Sequence, residues 1–271
     1  MKGNSSANPS FLYLKIFIGI FILLSLITLL IRSINLIEHK TFNSNGYNVL
    51  LLGENDAEVL SFTKDRGVRK MVRLHVTGGG KALAKKSLLS SSMLLGVPLD
   101  GAISSDAGLD EVFSFKNSFS ALFKSSHIKK NRVGDLDFLL VYAAISRTSK
   151  DEIFEKKVDV TDLLEERIDP KEFSDLFKRE EIINAKISVS IINASGVSGV
   201  AKKVAAMLAN EGYYIISIDS ADIQDPLEIT VSDKYPIFNR SYLFDAVPQV
   251  SQQTNLEDIK IVIGKNIVKS F

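Results

Sequence analysis

Two stretches of charge and one loop hold the side chains of this chain that could do chemistry. Between positions 64 and 86, Lys64, Arg66, Arg69, Lys70, Arg73, Lys81, Lys85 and Lys86 stand against Asp65 alone. Cations at this density attract phosphate or carboxylate, which makes Arg66, Arg69, Arg73, Lys81, Lys85 and Lys86 candidate anion-binding residues. Glu54 and Asp56, just behind the apolar run YNVLLL, form a candidate acidic pocket. Asp135 and Asp137 in GDLD are a second carboxylate pair of the kind that holds Mg²⁺, although two acids at i, i+2 beside a turn more often face solvent. The loop holding Asn193, Ser195, Gly196 and Gly199 lies between a predicted strand and a predicted helix, where free backbone amides and the helix dipole attract anions. Neither G-x-G-x-x-G nor a P-loop is complete there, so Gly196 is expected to serve a tight turn and Gly199 close helix–strand packing. Ser195 and Ser198 have no neighbouring His to activate a hydroxyl nucleophile.

Composition narrows the chemistry further. The chain has no Cys, which excludes disulfides, thiolate metal sites and a Cys nucleophile. His39, His75 and His127 are scattered and show no i, i+4 pairing, so a His-based metal site is not expected. The net charge of +1 conceals an asymmetry, because acids outnumber bases from 151 to 181. Either the two segments are simply solvated faces, or the basic one meets an anionic partner such as lipid phosphate or a wall polymer.

The elements that must position these residues begin with an apolar stretch at 11–31 in which Lys15 is the only charge. Its length corresponds to roughly 32 Å of helix, enough to span a hydrocarbon core of about 30 Å. The stretch has no small-residue cleavage motif and runs on into Arg32 and Ser33, so an uncleaved transmembrane anchor is expected at 11–33, with residues 1–10 as a tail before it. Lys and Arg on the two flanks do not decide its orientation. After a polar linker, 47–52 suits a buried strand and 68–76 a weakly alternating one, stopped by a flexible breaker at Gly78–Gly80. A helix is expected at 81–95, a strand or buried helix at 137–145, and acidic amphipathic helix at 151–179, interrupted by Pro170. In the last third, a strand at 186–192, a turn, a helix at 197–209 ended by Gly212, and strands at 214–218, 227–231 and 259–263 describe a small mixed α/β sandwich.

The segment ISVSIINASGVSGVAKKVAAMLANEGY resembles the C-terminal domain of the LytR/CpsA/Psr (LCP) family of bacterial envelope proteins. The family's strand–NGSG–x–x–G–x–A–helix signature corresponds to Asn193, Ala194, Ser195, Gly196, Gly199 and Ala201, with Ala where the family often has Gly. Its closing strand corresponds to Ile261–Gly264, and the resemblance spans 186–266. Residues 46–180 look like a degenerate LCP-like α/β domain: NVLLLGEND is similar to the family's first strand and acidic loop, and SSSMLLGVPLDGAI to its helix leading into L-G-I-P-V-D-x-Y. In the active family an Arg-Asp pair follows the second strand, and further Arg residues hold the pyrophosphate of a polyprenyl-linked glycan. Here that place reads HVTGGGKAL, and no R-x-x-R-Q cluster follows. The resemblance implies a single-pass cell-membrane protein of type II topology, with residues 1–10 as a cytoplasmic tail and the bulk extracytoplasmic, and the missing Arg cluster makes the expected role binding or scaffolding at the cell wall without catalysis or cofactor. Its partners would be the membrane and a cell-wall polymer or polyprenyl-phosphate lipid, with no nucleic acid. The alternative is a divergent phosphotransferase that moves lipid-linked glycan to the wall, with Asp56 and the basic segment as its site and Mg²⁺ as its cofactor.

Overall fold

Every residue of strand β1 (Gly46–Leu52) is buried, and alternate side chains enter opposite cores. In the computed structural model, which describes residues 18, 42, 46–65, 68–105, 128–232, 241–244, 247–251 and 257–268, Tyr47, Val49 and Leu51 pack with Leu60, Phe62, Met71, Ile103, Phe138 and Val141. Leu50 and Leu52 face the other way, onto Val59, Val72, Leu74, Leu83, Leu95, Phe173 and Phe177. A strand covered on both faces reads as one continuous apolar run, which is why YNVLLL is legible in the sequence. The predicted anchor and tail lie outside the described residues apart from Ile18, and among the described residues no helix is long and apolar enough to cross a membrane.

Around β1 a six-stranded mixed sheet assembles in the order β5-β4-β1-β2-β3-β6, from β2 (Ala57–Asp65), β3 (Val68–Thr77), β4 (Gly101–Ser105), β5 (Ile128–Asn131) and β6 (Ile153–Asp159). Helices α1 (Gly79–Ala84) and α2 (Leu88–Leu95) supply Leu83 and Leu95 to one face, whereas α3 (Asp135–Arg147) supplies Phe138 and Val141 to the other. Three expectations are corrected. The helix predicted at 81–95 is broken, because Ser87 caps α2 by accepting the Ser90 N–H at 3.1 Å. Gly78–Gly80 is a close-packed corner: Gly80 donates to Asn55 O at 2.8 Å, and a Cβ there would lie 2.4 Å from Gly53 O. Finally, the acidic stretch predicted as helix forms β6, parallel to β3, before α4 (Val160–Leu164) and α5 (Ser174–Phe177). β6 is an edge strand whose charges face solvent, so its pattern carries no apolar alternation. The 137–145 run resolves as helix α3.

The last third follows its predicted order more closely. After α6 (Glu180–Ala185), β7 (Ser188–Asn193) passes through α7 (Val200–Glu211) into parallel β8 (Tyr214–Ser220), the crossover expected from the strand–helix–strand pattern. β9 (Glu228–Ser232), β10 (Gln249–Ser251) and β11 (Ile259–Ile263) complete a five-stranded sheet ordered β10-β9-β11-β7-β8, followed by α8 (Lys265–Val268). Val204, Met207 and Leu208 of α7 pack on Val189, Ile191, Ile261 and Ile263. The same core takes Leu89 and Met93 from α2, so one short helix is buried by both halves of the molecule.

Polar contacts cross this junction. Arg179, between α5 and α6, has a side chain only 5% exposed, with Nε 2.7 Å from the carboxylate of the fully buried Glu211 side chain and Nη2 3.6 Å from Asp100. The Asp100 carboxylate accepts the Asn48 N–H at 2.6 Å, and Asn48 in turn accepts from Ser61 Oγ and donates to Pro98 O. Asn210 Nδ2 reaches Gly96 O at 2.9 Å. On the surface, Lys203 of α7 lies 2.8 Å from Glu166, and this hydrogen bond, followed by the lysine charge, holds the Glu166 carboxyl below its ordinary value. A depressed carboxyl contributes its stability above the unfolded value and loses it as pH falls through the folded one, so this surface tie weakens only in acid.

Removing one member of a buried ion pair strands the other, at a typical cost of about 3–5 kcal/mol. In urea denaturation followed by circular dichroism, Arg179→Ala is expected to lose that much, and Arg179→Met with Glu211→Leu much less. Equal losses in both variants would show that the pair contributes packing alone.

Candidate functional site

The basic run does not fold into one cluster. Arg66 lies outside the described residues, and Arg69 sits near the start of β3, whereas Lys81, Lys85 and Lys86 follow its far end. Eight steps of strand, at about 3.3 Å each, separate Arg69 from Thr77. Arg73, midway along β3, is held between carboxylates: Nε pairs with Glu58 on β2, and Nη1 lies 3.3 Å from Glu155 on β6. Glu58 has a side chain only 10% exposed, so it is Arg73 that compensates this nearly buried acid.

At the rim where the β1–β2 turn meets the β3–α1 corner, the candidate acidic residues sit close to the lysines. Asp56 Oδ1 accepts the Gly78 N–H at 2.9 Å and Oδ2 lies 3.9 Å from His75 Nε2. Glu54 reaches Lys81 at 3.3 Å with both side chains largely exposed, an ion pair worth about 0–1 kcal/mol. The i, i+4 spacing of Lys81 and Lys85 puts both on one side of α1 and its C-cap, with Lys85 exposed and Lys86 half-buried. Among the described residues, this rim is where the structure brings predicted acids and predicted bases together.

The second carboxylate pair is structural. Asp137 is buried, and its two oxygens accept the Phe42 and Gly134 amides at 2.8 and 3.2 Å, which closes the N-terminus of α3. Asp135 is tied to Lys130. The expectation of solvated turn residues therefore fails for Asp137.

In the 193–199 loop the Asn193 and Ser195 side chains are engaged within the loop itself. Asn193 Oδ1 accepts Ser195 N–H and Oγ–H at 3.2 and 2.7 Å, Asn193 Nδ2 donates to Val197 O at 2.9 Å, and Ser195 Oγ accepts the Val197 N–H at 3.1 Å. Ala194 is pinned from both sides, donating to Ile263 O and accepting from Gln224 N. Gly196 has φ +78°, as its tight turn requires. The packing role expected of Gly199 is corrected: a Cβ there would meet nothing within 4 Å, and the position needs glycine because φ is +82° at the N-cap of α7. The loop is a folded joint between β7 and α7.

Sequence reading missed the set formed by half-buried Asp100 with buried Arg179 and Glu211. Asp100 lies in the quoted GVPLDGAI motif, but nothing local marks Arg179 or Glu211 as its neighbours. Residues 186–266 match the family described as LytR cell envelope-related transcriptional attenuator. No curated protein and no solved structure matches the chain. The matched span contains all five strands of the second sheet, and it supports a LytR C-terminal, cell-envelope-related domain in that part of the chain.

Forcing a residue with a Cβ into left-handed backbone costs about 1–2 kcal/mol, and Asn tolerates that region better than Ala. Thermal melts are expected to show Gly199→Ala destabilised by this amount and Gly199→Asn by less. A large loss for Gly199→Leu beyond that of Gly199→Ala would restore the packing role.

Proposed function

We propose that this protein is a membrane-anchored component of the cell envelope that binds or scaffolds at the wall without catalysing a reaction there. The observation that carries the reading is the match of 186–266 to a cell-envelope-related domain, in a chain whose residues 11–31 are long and apolar enough for one crossing. The bulk of the chain would then lie outside the cytoplasm. Its partner is an anionic wall polymer or polyprenyl-phosphate lipid, met at the rim by Lys81, Lys85 and Lys86. The neighbouring carboxylates leave that rim mixed in charge, so contact is electrostatic and adaptable, unlike a rigid arginine clamp. The same geometry argues against the phosphotransferase alternative. Transfer of a phosphoryl group depends on preorganised cations around the phosphate, whereas Arg73 is held by Glu58 and Glu155, and Asp56 accepts the Gly78 amide.

Binding of this kind is screened as the Debye length falls from about 10 Å at 0.1 M salt to about 3 Å at 1 M. The full chain in detergent, sedimented with purified wall or with vesicles containing a polyprenyl phosphate, is expected to bind less as salt rises, and less again with Lys81→Glu, Lys85→Glu and Lys86→Glu combined. Salt-independent binding untouched by these changes would overturn the rim assignment. Metal-dependent transfer of a lipid-linked glycan that is lost in Asp56→Ala would establish the enzyme instead.

A further inference from the structure

Sheet edges offer unpaired backbone groups to any passing strand, and proteins blunt them with charge, brevity or cover. Three of the four edges described here are blunted. β5 is four residues long and carries Lys129 and Lys130, β6 carries Glu155, Lys156 and Lys157, and β10 is three residues long. β8 differs. It has seven residues, YIISIDS, with no charge before Asp219, and among the described residues no strand pairs on its outer side. Tyr214 is 67% exposed, Ile216 40% and Ile218 48%. Its one blunting device is a bulge against β7 near Val189 and Ser190, which leaves Ile216 without a direct partner in that ladder.

We propose that β8 is a dimerisation edge, pairing antiparallel with β8 of a second copy to join two five-stranded sheets into one of ten. This goes beyond the envelope-binding reading and does not depend on it. Charge along the edge selects a second copy and that direction. The start of β8 adjoins exposed Lys186, through the Tyr214 amide on Ile187 O at 2.9 Å, whereas its end carries Asp219 and is followed by Asp222. Antiparallel pairing sets the acidic end of each copy against the Lys186 end of the other, and parallel pairing in register would stack Asp219 on Asp219. With a two-fold axis at Ser217, Ile216 stands opposite Ile218 of the second copy; with the axis at Ile216, Tyr214 does. Both arrangements pair the open backbone edge, and both are closed, so association stops at two.

The absence of Cys makes the test direct, because each single-Cys variant of the full chain carries one thiol. Residues directly opposite in an antiparallel pair have Cα atoms about 4.5–5.5 Å apart, within the range a disulfide spans. Variants from Tyr214→Cys to Ser220→Cys, oxidised as the purified full chain, are expected to give disulfide-linked dimer with one maximum at Ile216→Cys or Ser217→Cys and a decline on both sides. Phe154→Cys, on the blunted β6 edge, reports random collision. Ile216→Lys with Ile218→Lys is expected to weaken dimerisation of the otherwise unchanged chain about tenfold or more, with its circular dichroism retained, because edge charge opposes pairing. Cross-linking along β8 no greater than at Phe154→Cys would overturn the proposal, as would a dimer indifferent to the two lysines or an edge found paired with a different protein.

Discussion

Arg179 is the residue on which the relation between the two halves depends. Its guanidinium sits over the start of β1, close enough that a Cβ at Gly46 would fall 2.4 Å from it, and it answers a carboxylate from each half, Asp100 and Glu211. Glu211 is fully buried at the end of α7, and a charge in that position is tolerable only beside a counter-charge. The ion pair thus acts as a constraint on arrangement more than as a source of stability, since such pairs roughly break even against an apolar substitute.

The packing around that point follows the same logic. α2 is buried on nearly all sides because it has two cores to serve, and its serines solve the resulting polar problem locally. Ser92 Oγ donates to Leu88 O at 2.8 Å and accepts the Leu99 N–H at 3.1 Å. Gly96 ends the helix at φ +65°, and its carbonyl receives Asn210 from α7. The motif running from the serines to Asp100 is therefore a connector, in which each polar group is used to hold neighbouring segments together.

Charge compensation also explains why a dense basic sequence yields a modest site. β-Pairing draws Arg73 into a ladder with Glu155 and beside Glu58, and it carries Arg69 and Lys81 toward opposite ends of one strand. What remains is the rim of Glu54, Asp56 and the lysines of α1, a surface suited to loose contact with an anionic polymer. The self-satisfied loop before α7 likewise serves the fold of the envelope-related domain.

Features with local causes are legible along the chain. Continuous burial made β1 visible, helical spacing made α7 visible, and Gly196, Gly199 and Gly212 marked positions where backbone with positive φ was needed, although the reason assigned to Gly199 was wrong. The Gly78–Gly80 corner, the strand identity of β6 and the ion cluster around Arg179 were decided by tertiary structure alone. Each depends on a partner distant in the chain: the β1–β2 turn against Gly80, β3 beside β6, and Glu211 beside Arg179. A glycine chosen for close approach looks the same in sequence as one chosen for flexibility, and a solvent-facing edge strand shows no apolar period. Two charges that neutralise each other across domains leave no pattern in either segment, because the energy that pairs them exists only once both are buried.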